Sequence, residues 1–274
     1  ATLWLTLLWA AQPTQRWAAV GLGMVLGSAS AFHNGLFILQ IPVLAWLGLR
    51  WLHRADRPAA MVVAQFGLAL LLSNALWLSG SAAAGAGFFH FYLFSYFHLY
   101  LAAATALVAL WFSISPGPSL RAWLGLGLLA VALIVPLVPE LQHGYGFMAS
   151  TIDAPGYAQI GELKSILGHT PAGALNAATR MAFYTHLLWL LPVTLLWALW
   201  VGSQRQYSAQ YHAFAVLTLL GSVLLLQQFR LHYYGSFALY LPLLLAVHTV
   251  RWPKRWLQGV GLAGLCLILA AAHR

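Results

Sequence analysis

Apolar residues in this chain come in long unbroken runs, separated by short clusters of polar, basic and turn-forming residues. The runs fall at 1–11, 17–32, 35–51, 59–78, 90–112, 122–138, 181–201, 211–228, 236–250 and 256–272. Alternation with period two, the mark of a membrane barrel strand, is missing, and Leu and Ala dominate the runs. Most of the runs have the length that crosses about 30 Å of hydrocarbon as an α-helix, the form that satisfies its backbone within one segment. The pattern therefore predicts an all-α, polytopic transmembrane helix bundle of about nine to ten spans, the first truncated. The connections carry turn signals: "QPTQR" at 12–16, "HRADRP" at 53–58, "SISPGPSLR" at 113–121, "GSQRQ" at 202–206 and "RWPKR" at 251–255. No internal repeat stands out.

Composition agrees. Of the 274 residues, 62% are hydrophobic and 6% charged, with a mean hydropathy of +0.80. Soluble domains carry about a quarter charged residues. The formal net charge of +9 does not indicate a nucleic-acid partner, because the basic residues stand mostly singly between apolar runs. Cys266, the one cysteine, excludes an internal disulfide and any cysteine-based metal site. The chain opens at Ala1 inside an apolar run, which reads as a fragment of a longer protein, and residues 1–274 read as one transmembrane domain.

Charge orients the bundle. With 12–16 on the cytoplasmic side, alternation puts Arg16, Arg50, Arg54, Arg57, Arg121, Arg205, Arg251, Lys254 and Arg255 there, nine of the 13 Lys and Arg. The polar stretch at about 139–180 is then an external loop, and Arg230 lies at the external end of its helix. Three of the four acids, Glu140, Asp153 and Glu162, are external, and Asp56 sits among arginines as a local charge partner.

Candidate chemistry gathers on the external side. In "QQFRLHYYG" (227–235), Arg230 is surrounded by Gln227, Gln228, His232, Tyr233 and Tyr234. A guanidinium in a partly dry setting suits a phosphate or pyrophosphate, which it grips with two parallel hydrogen bonds. The plainer reading is an arginine that snorkels to the interface. The loop "QHGYGFMASTIDAPGYAQIGELKSILGHTPAGALNAATR" (142–180) is too long for a turn and too polar to span. Within it, "QIGELKSIL" (159–167) reads as a short ordered piece. Glu162 there reads equally as a solvated acid beside Lys164. His33 and Asn34 sit at an external turn, and His90 and His98 fall eight apart in "HFYLFSYFH", on one face of an expected helix. No HExxH or HxxxH pair supports a histidine zinc site.

Taken together, the external loop with Ile160-x-Glu162, a helix in, a helix out and Arg230 at the external end resemble the catalytic subunit of oligosaccharyltransferases. The single-subunit bacterial and archaeal forms, of the C-type membrane glycosyltransferase fold, are the nearest in pattern. "QIGE" resembles that family's Thr-Ile-x-Glu motif, with Gln159 in place of Thr. "SASAFHNGLFILQIPVLAWLGLRW" (28–51) resembles its helix–external turn–helix hairpin, and "LALLLSNALWL" (68–78) its next outward helix. The resemblance implies transfer of a glycan from a polyprenyl-pyrophosphate donor to an acceptor, most often a protein asparagine, at the external (periplasmic) face of a prokaryotic inner membrane. It implies that Glu162 ligates a divalent cation (Mg²⁺ or Mn²⁺), with the other ligands upstream of Ala1, and that Arg230 holds the leaving pyrophosphate. His232, Tyr233, His33 and Asn34 would line the lipid-linked sugar, and membrane lipids and an acceptor protein or peptide would be the partners. The family's two external aspartate sites and its Trp-Trp-Asp acceptor motif are absent from the chain, so the fragment alone is expected to be inactive.

Two other polyprenyl-dependent readings belong to the same broad class: another membrane glycosyltransferase, and an O-antigen ligase or polymerase using His143, His169 and Arg180 without metal. A transporter or non-catalytic membrane subunit is a different class. Transporters tend to show repeats and charges at the midplane, and neither is seen here.

Overall fold

The computed structural model describes residues 1–143, 174, 176, 191–227, 235, 238, 241, 256, 257, 259–261, 263 and 264. The elements assigned among these are helical: α1 Thr2–Ala11, α2 Arg16–Phe32, a 3-10 helix Asn34–Gln40, α3 Ile41–Leu52, α4 Ala60–Ser79, α5 Ala82–Ala86, α6 Tyr96–Ile114, α7 Leu120–Ile134, α8 Leu191–Ser203 and α9 Ala209–Gln227. Among the described residues, five segments are long and apolar enough to cross a membrane: Asn34–Leu52, Ala60–Ser79, Tyr96–Ile114, Leu120–His143 and Ala209–Gln227. The all-α polytopic architecture read from the sequence is therefore present. The expected spans 236–250 and 256–272 lie largely outside the described residues.

The chain divides into two compact units, Ala1–Met148 with Gln204–Ala213, and Ala149–Ser203 with Phe214–Arg274. In the first, α2 and α4 cross closely because α2 presents Gly23 and Gly27, four residues apart on one face. A Cβ on Gly23 would collide with the Phe66 carbonyl oxygen, and one on Gly27 with that of Leu70. Small residues allow this backbone approach, and hydrogen bonds follow it. The Ser28 and Ser73 hydroxyls lie 2.7 Å apart, and Asn74 Nδ2 donates to the Gly27 carbonyl at 3.2 Å. Large apolar side chains on α4 and α7, such as Leu68, Leu72, Leu76 and Leu128, point outward instead. Lipid is as apolar as leucine, so this distribution carries little penalty in a bilayer.

Trp9, Trp46 and Phe66 fill the centre of the first unit, with ring centroids 5.4 Å apart for Trp9–Trp46 and 5.2 Å for Trp9–Phe66. In the second unit, Ala198, Val201, Leu217, Leu224 and Leu225 are buried. Gly235 sits against the Gly221 carbonyl there, where a side chain would not fit.

The expected span 90–112 starts six residues later than its hydropathy suggests, at Tyr96. Phe, Tyr and Leu make "HFYLFS" (90–95) apolar, yet the buried Ser95 caps α6 and turns the chain before it. His90 therefore lies outside the helix, and His90 and His98 do not share a helix face as expected.

Candidate functional site

The α5–α6 connection is organised by its own side chains. Ser95 Oγ donates to the His90 carbonyl (2.7 Å) and accepts from the His90 N–H (3.0 Å), closing the segment 90–95 on itself. The Ser95 N–H donates to His98 Nδ1 at 3.4 Å, completing a capping box. An accepting Nδ1 puts the proton of neutral His98 on Nε2, which donates to the Asn34 carbonyl at 3.0 Å. His98 is fully buried and is thus a structural histidine tying α6 to the turn after α2.

That turn is built by acceptors. The Gly35 N–H donates to both His33 Nδ1 (3.1 Å) and Asn34 Oδ1 (3.0 Å). Asn34 Nδ2 reaches the Phe91 carbonyl at 3.5 Å, so the 33–35 turn and the 88–95 segment lie side by side.

Glu140 is the third part. The helix of α7 continues through the 3-10 turn Val135–Leu137 to His143, which carries Glu140 past the apolar run. Its side chain is 5% exposed. Oε1 accepts the Phe91 N–H at 2.9 Å, and Oε2 faces His90 Nδ1 at 3.2 Å. A buried carboxylate is tolerated when its oxygens are hydrogen-bonded, and both are. The His90 ring stacks on Tyr92, with centroids 5.1 Å apart and planes 14° from parallel.

Of the residues singled out from the sequence, His33 and Asn34 belong to this assembly. Glu162, Arg230, His232 and Tyr233 lie outside the described residues, as do Asp153, His169 and Arg180. His143 is exposed at the end of the α7 extension. Glu140 was placed on the external side by sequence but given no role. Its rarity, one acid of four in the chain, was the available signal. Among the described residues no three His, Cys, Asp or Glu side chains come together as a metal site. Glu140 itself is committed to Phe91 and His90.

Asp56 is the local charge partner expected of it, its charge favouring the Arg50 cation. Arg50 takes its main-chain carbonyl at 3.0 Å, and among the described residues the ion-pair geometry is His90–Glu140.

Comparison with protein families matches none, and no curated protein matches. Solved structures do. The Archaeoglobus fulgidus oligosaccharyltransferase in its apo form aligns at TM-score 0.63 and 16% identity, over 96% of this chain and 33% of that one. The Archaeoglobus fulgidus oligosaccharyltransferase AglB in complex with an inhibitory peptide and a dolichol-phosphate aligns at TM-score 0.63 and 17% identity, over 94% of this chain and 33% of that one. The Archaeoglobus fulgidus enzyme tethered to an acceptor peptide containing the NVT sequon aligns at 0.55 and 18%, over 94% and 32%. The chain spans about a third of the length of the structures it matches, and it shares their membrane fold.

Proposed function

We propose that this chain is part of a membrane glycosyltransferase of oligosaccharyltransferase type, moving a glycan from a polyprenyl-pyrophosphate donor to an acceptor, with a protein asparagine as the acceptor of choice. The observation that carries the reading is the fold likeness to an oligosaccharyltransferase over 94–96% of the chain. That likeness coincides with Ile160-x-Glu162 and Arg230 in the order the resemblance requires. In this reading Arg230 grips the leaving pyrophosphate with its planar fork. Glu162 is the residue assigned to a divalent cation, Mg²⁺ or Mn²⁺, with its companions outside the described residues. His33 and Asn34 line the donor head, together with His232 and Tyr233. The site faces the side opposite the basic loops, the external face of a prokaryotic inner membrane.

The test is made in the full-length protein, with a polyprenyl-pyrophosphate disaccharide as donor and an asparagine-containing peptide as acceptor. Arg230→Lys keeps the charge and loses the fork, so turnover is expected to fall at least about tenfold, which corresponds to roughly 1.4 kcal/mol. Normal turnover in that variant overturns the assignment of Arg230, and absence of glycopeptide with the unaltered protein overturns the reading itself.

A further inference from the structure

Glu140 is a buried titratable group outside the residues used above, and it holds a histidine that is partly exposed. A carboxylate only accepts hydrogen bonds, so His90 Nδ1, 3.2 Å from Oε2, carries the ring proton toward Glu140. The second ring nitrogen of the neutral imidazole, Nε2, is then an acceptor on the side of the ring away from Glu140. Stacking on Tyr92 and the ring contact with Phe88, with centroids 5.9 Å apart, fix the ring plane. The His90 side chain is 37% exposed, against 5% for Glu140. Phe88 and Tyr92 beside it are also exposed, at 45% and 49%. An oriented acceptor nitrogen flanked by exposed aromatic rings is the chemistry that takes a sugar ring: hydroxyl to nitrogen, C–H face to ring.

We infer that Glu140 is a positioning residue which sets His90 Nε2 as the acceptor for a hydroxyl of the donor's glycan, with Phe88 and Tyr92 as the flanking apolar surface. The inference rests on the reading above and names a glycan contact on the 88–95 segment. The neighbouring Asn34 side chain, bonded to the Phe91 carbonyl, places this contact next to the turn already assigned to the donor head.

Glu140→Gln tests it without removing the buried side chain. The amide oxygen still accepts from the Phe91 N–H, while its NH₂ faces His90 and donates to Nδ1. The proton then moves to Nε2, which changes from acceptor to donor. In full-length protein labelled with ¹⁵N-histidine, the His90 signal, assigned by its loss in His90→Ala, is expected to switch tautomer in Glu140→Gln. With the polyprenyl-pyrophosphate disaccharide as donor, KM is expected to rise about threefold to tenfold in His90→Ala, the size of one lost hydrogen bond, with kcat kept, and by less in Glu140→Gln, where the sugar hydroxyl must turn to accept from Nε2–H. The Phe91 amide should stay protected from hydrogen exchange in Glu140→Gln. Unchanged donor KM in His90→Ala overturns the glycan contact, and a switched tautomer with unchanged KM in Glu140→Gln overturns the positioning role of Glu140. An unswitched tautomer overturns the pairing that sets the ring. The tautomer is readable whatever Arg230→Lys shows, because the His90 ring proton does not depend on how the pyrophosphate is held, and each KM is compared with that of the unaltered protein.

Discussion

The two ends of the first unit treat their polar side chains differently. At the Arg50 end, buried Arg50 donates from Nε to the Asp56 carbonyl at 3.0 Å and from Nη1 to the Tyr207 carbonyl at 3.2 Å. Nη1 also lies 3.1 Å from His212 Nδ1, and His212 Nε2 is 2.9 Å from the Gln204 carbonyl. A guanidinium is donor-only, so His212 Nδ1 accepts and its Nε2–H donates to Gln204. Arg57 reaches the carbonyls of Phe112 and Ser115, both at 2.6 Å, where α6 runs out of intrahelical partners. Arg50 and Arg57 close helix ends and loops there on protein acceptors. At the Glu140 end, by contrast, the carboxylate is closed off but the histidine it holds is more than a third exposed. Burial of a charged group in a membrane protein thus marks structure as readily as function. What separates the two ends is whether an oriented polar atom is left facing outward.

The largest effect expected from breaking this comparison is at Arg50. Arg50→Met keeps the length and apolar stem but leaves two carbonyls and the His212 nitrogen without their donor. The loss should be about 3 kcal/mol, at roughly 1 kcal/mol per unmet acceptor. Thermal unfolding in detergent micelles reads it as a clear drop in midpoint, and donor KM of the surviving protein should not change. A KM change as large as that of His90→Ala would erase the distinction between the two ends.

Glu140→Ala comes next. It deprives the Phe91 N–H of its acceptor and His90 of its anchor, at a cost of about 2 kcal/mol if the amide stays buried. Hydrogen exchange at Phe91 should speed up strongly, while exchange in α4 should not. If Phe91 stays protected, the fold of the 88–95 segment does not depend on Glu140, and Glu140 loses its role.

Much of this was legible in the sequence, and the misses have physical causes. Uniform apolar runs gave α4 and α9 within two residues, 59–78 against Ala60–Ser79 and 211–228 against Ala209–Gln227. Hydropathy failed at 90–95 because aromatic residues in a turn weigh as much as aromatic residues in a span. The cap signal Ser95-x-x-His98 was there, in a form that uses His at the position where Glu or Gln is usual. His33 and Asn34 were legible as a turn from their place between two runs. The Arg50–His212 contact joins residues 162 apart in sequence, and no local pattern announces it. Glu140 was read only as part of the polar stretch 139–180, with no partner. Only the continuation of α7 past Pro139 brings it, buried, against the 88–95 segment.

The smallest expected effect lies between the two ends, where α2 and α4 cross. Ser73 Oγ is 2.7 Å from Ser28 Oγ and donates to the Met24 carbonyl at 3.0 Å. Such hydrogen bonds between membrane helices average about 0.6 kcal/mol, because the unfolded chain in lipid also finds partners. Ser73→Ala should therefore shift the unfolding midpoint slightly, leave donor KM and the His90 tautomer alone, and show little coupling with Ser28→Ala beyond that 0.6 kcal/mol. The close approach itself rests on Gly23 and Gly27, whose missing Cβ atoms let the Phe66 and Leu70 carbonyls in. If Ser73→Ala instead destabilised the protein as much as Arg50→Met, the polar contacts rather than the glycines would be holding the crossing. The contrast between a structural end and a presenting end would then have to include a third, polar, middle.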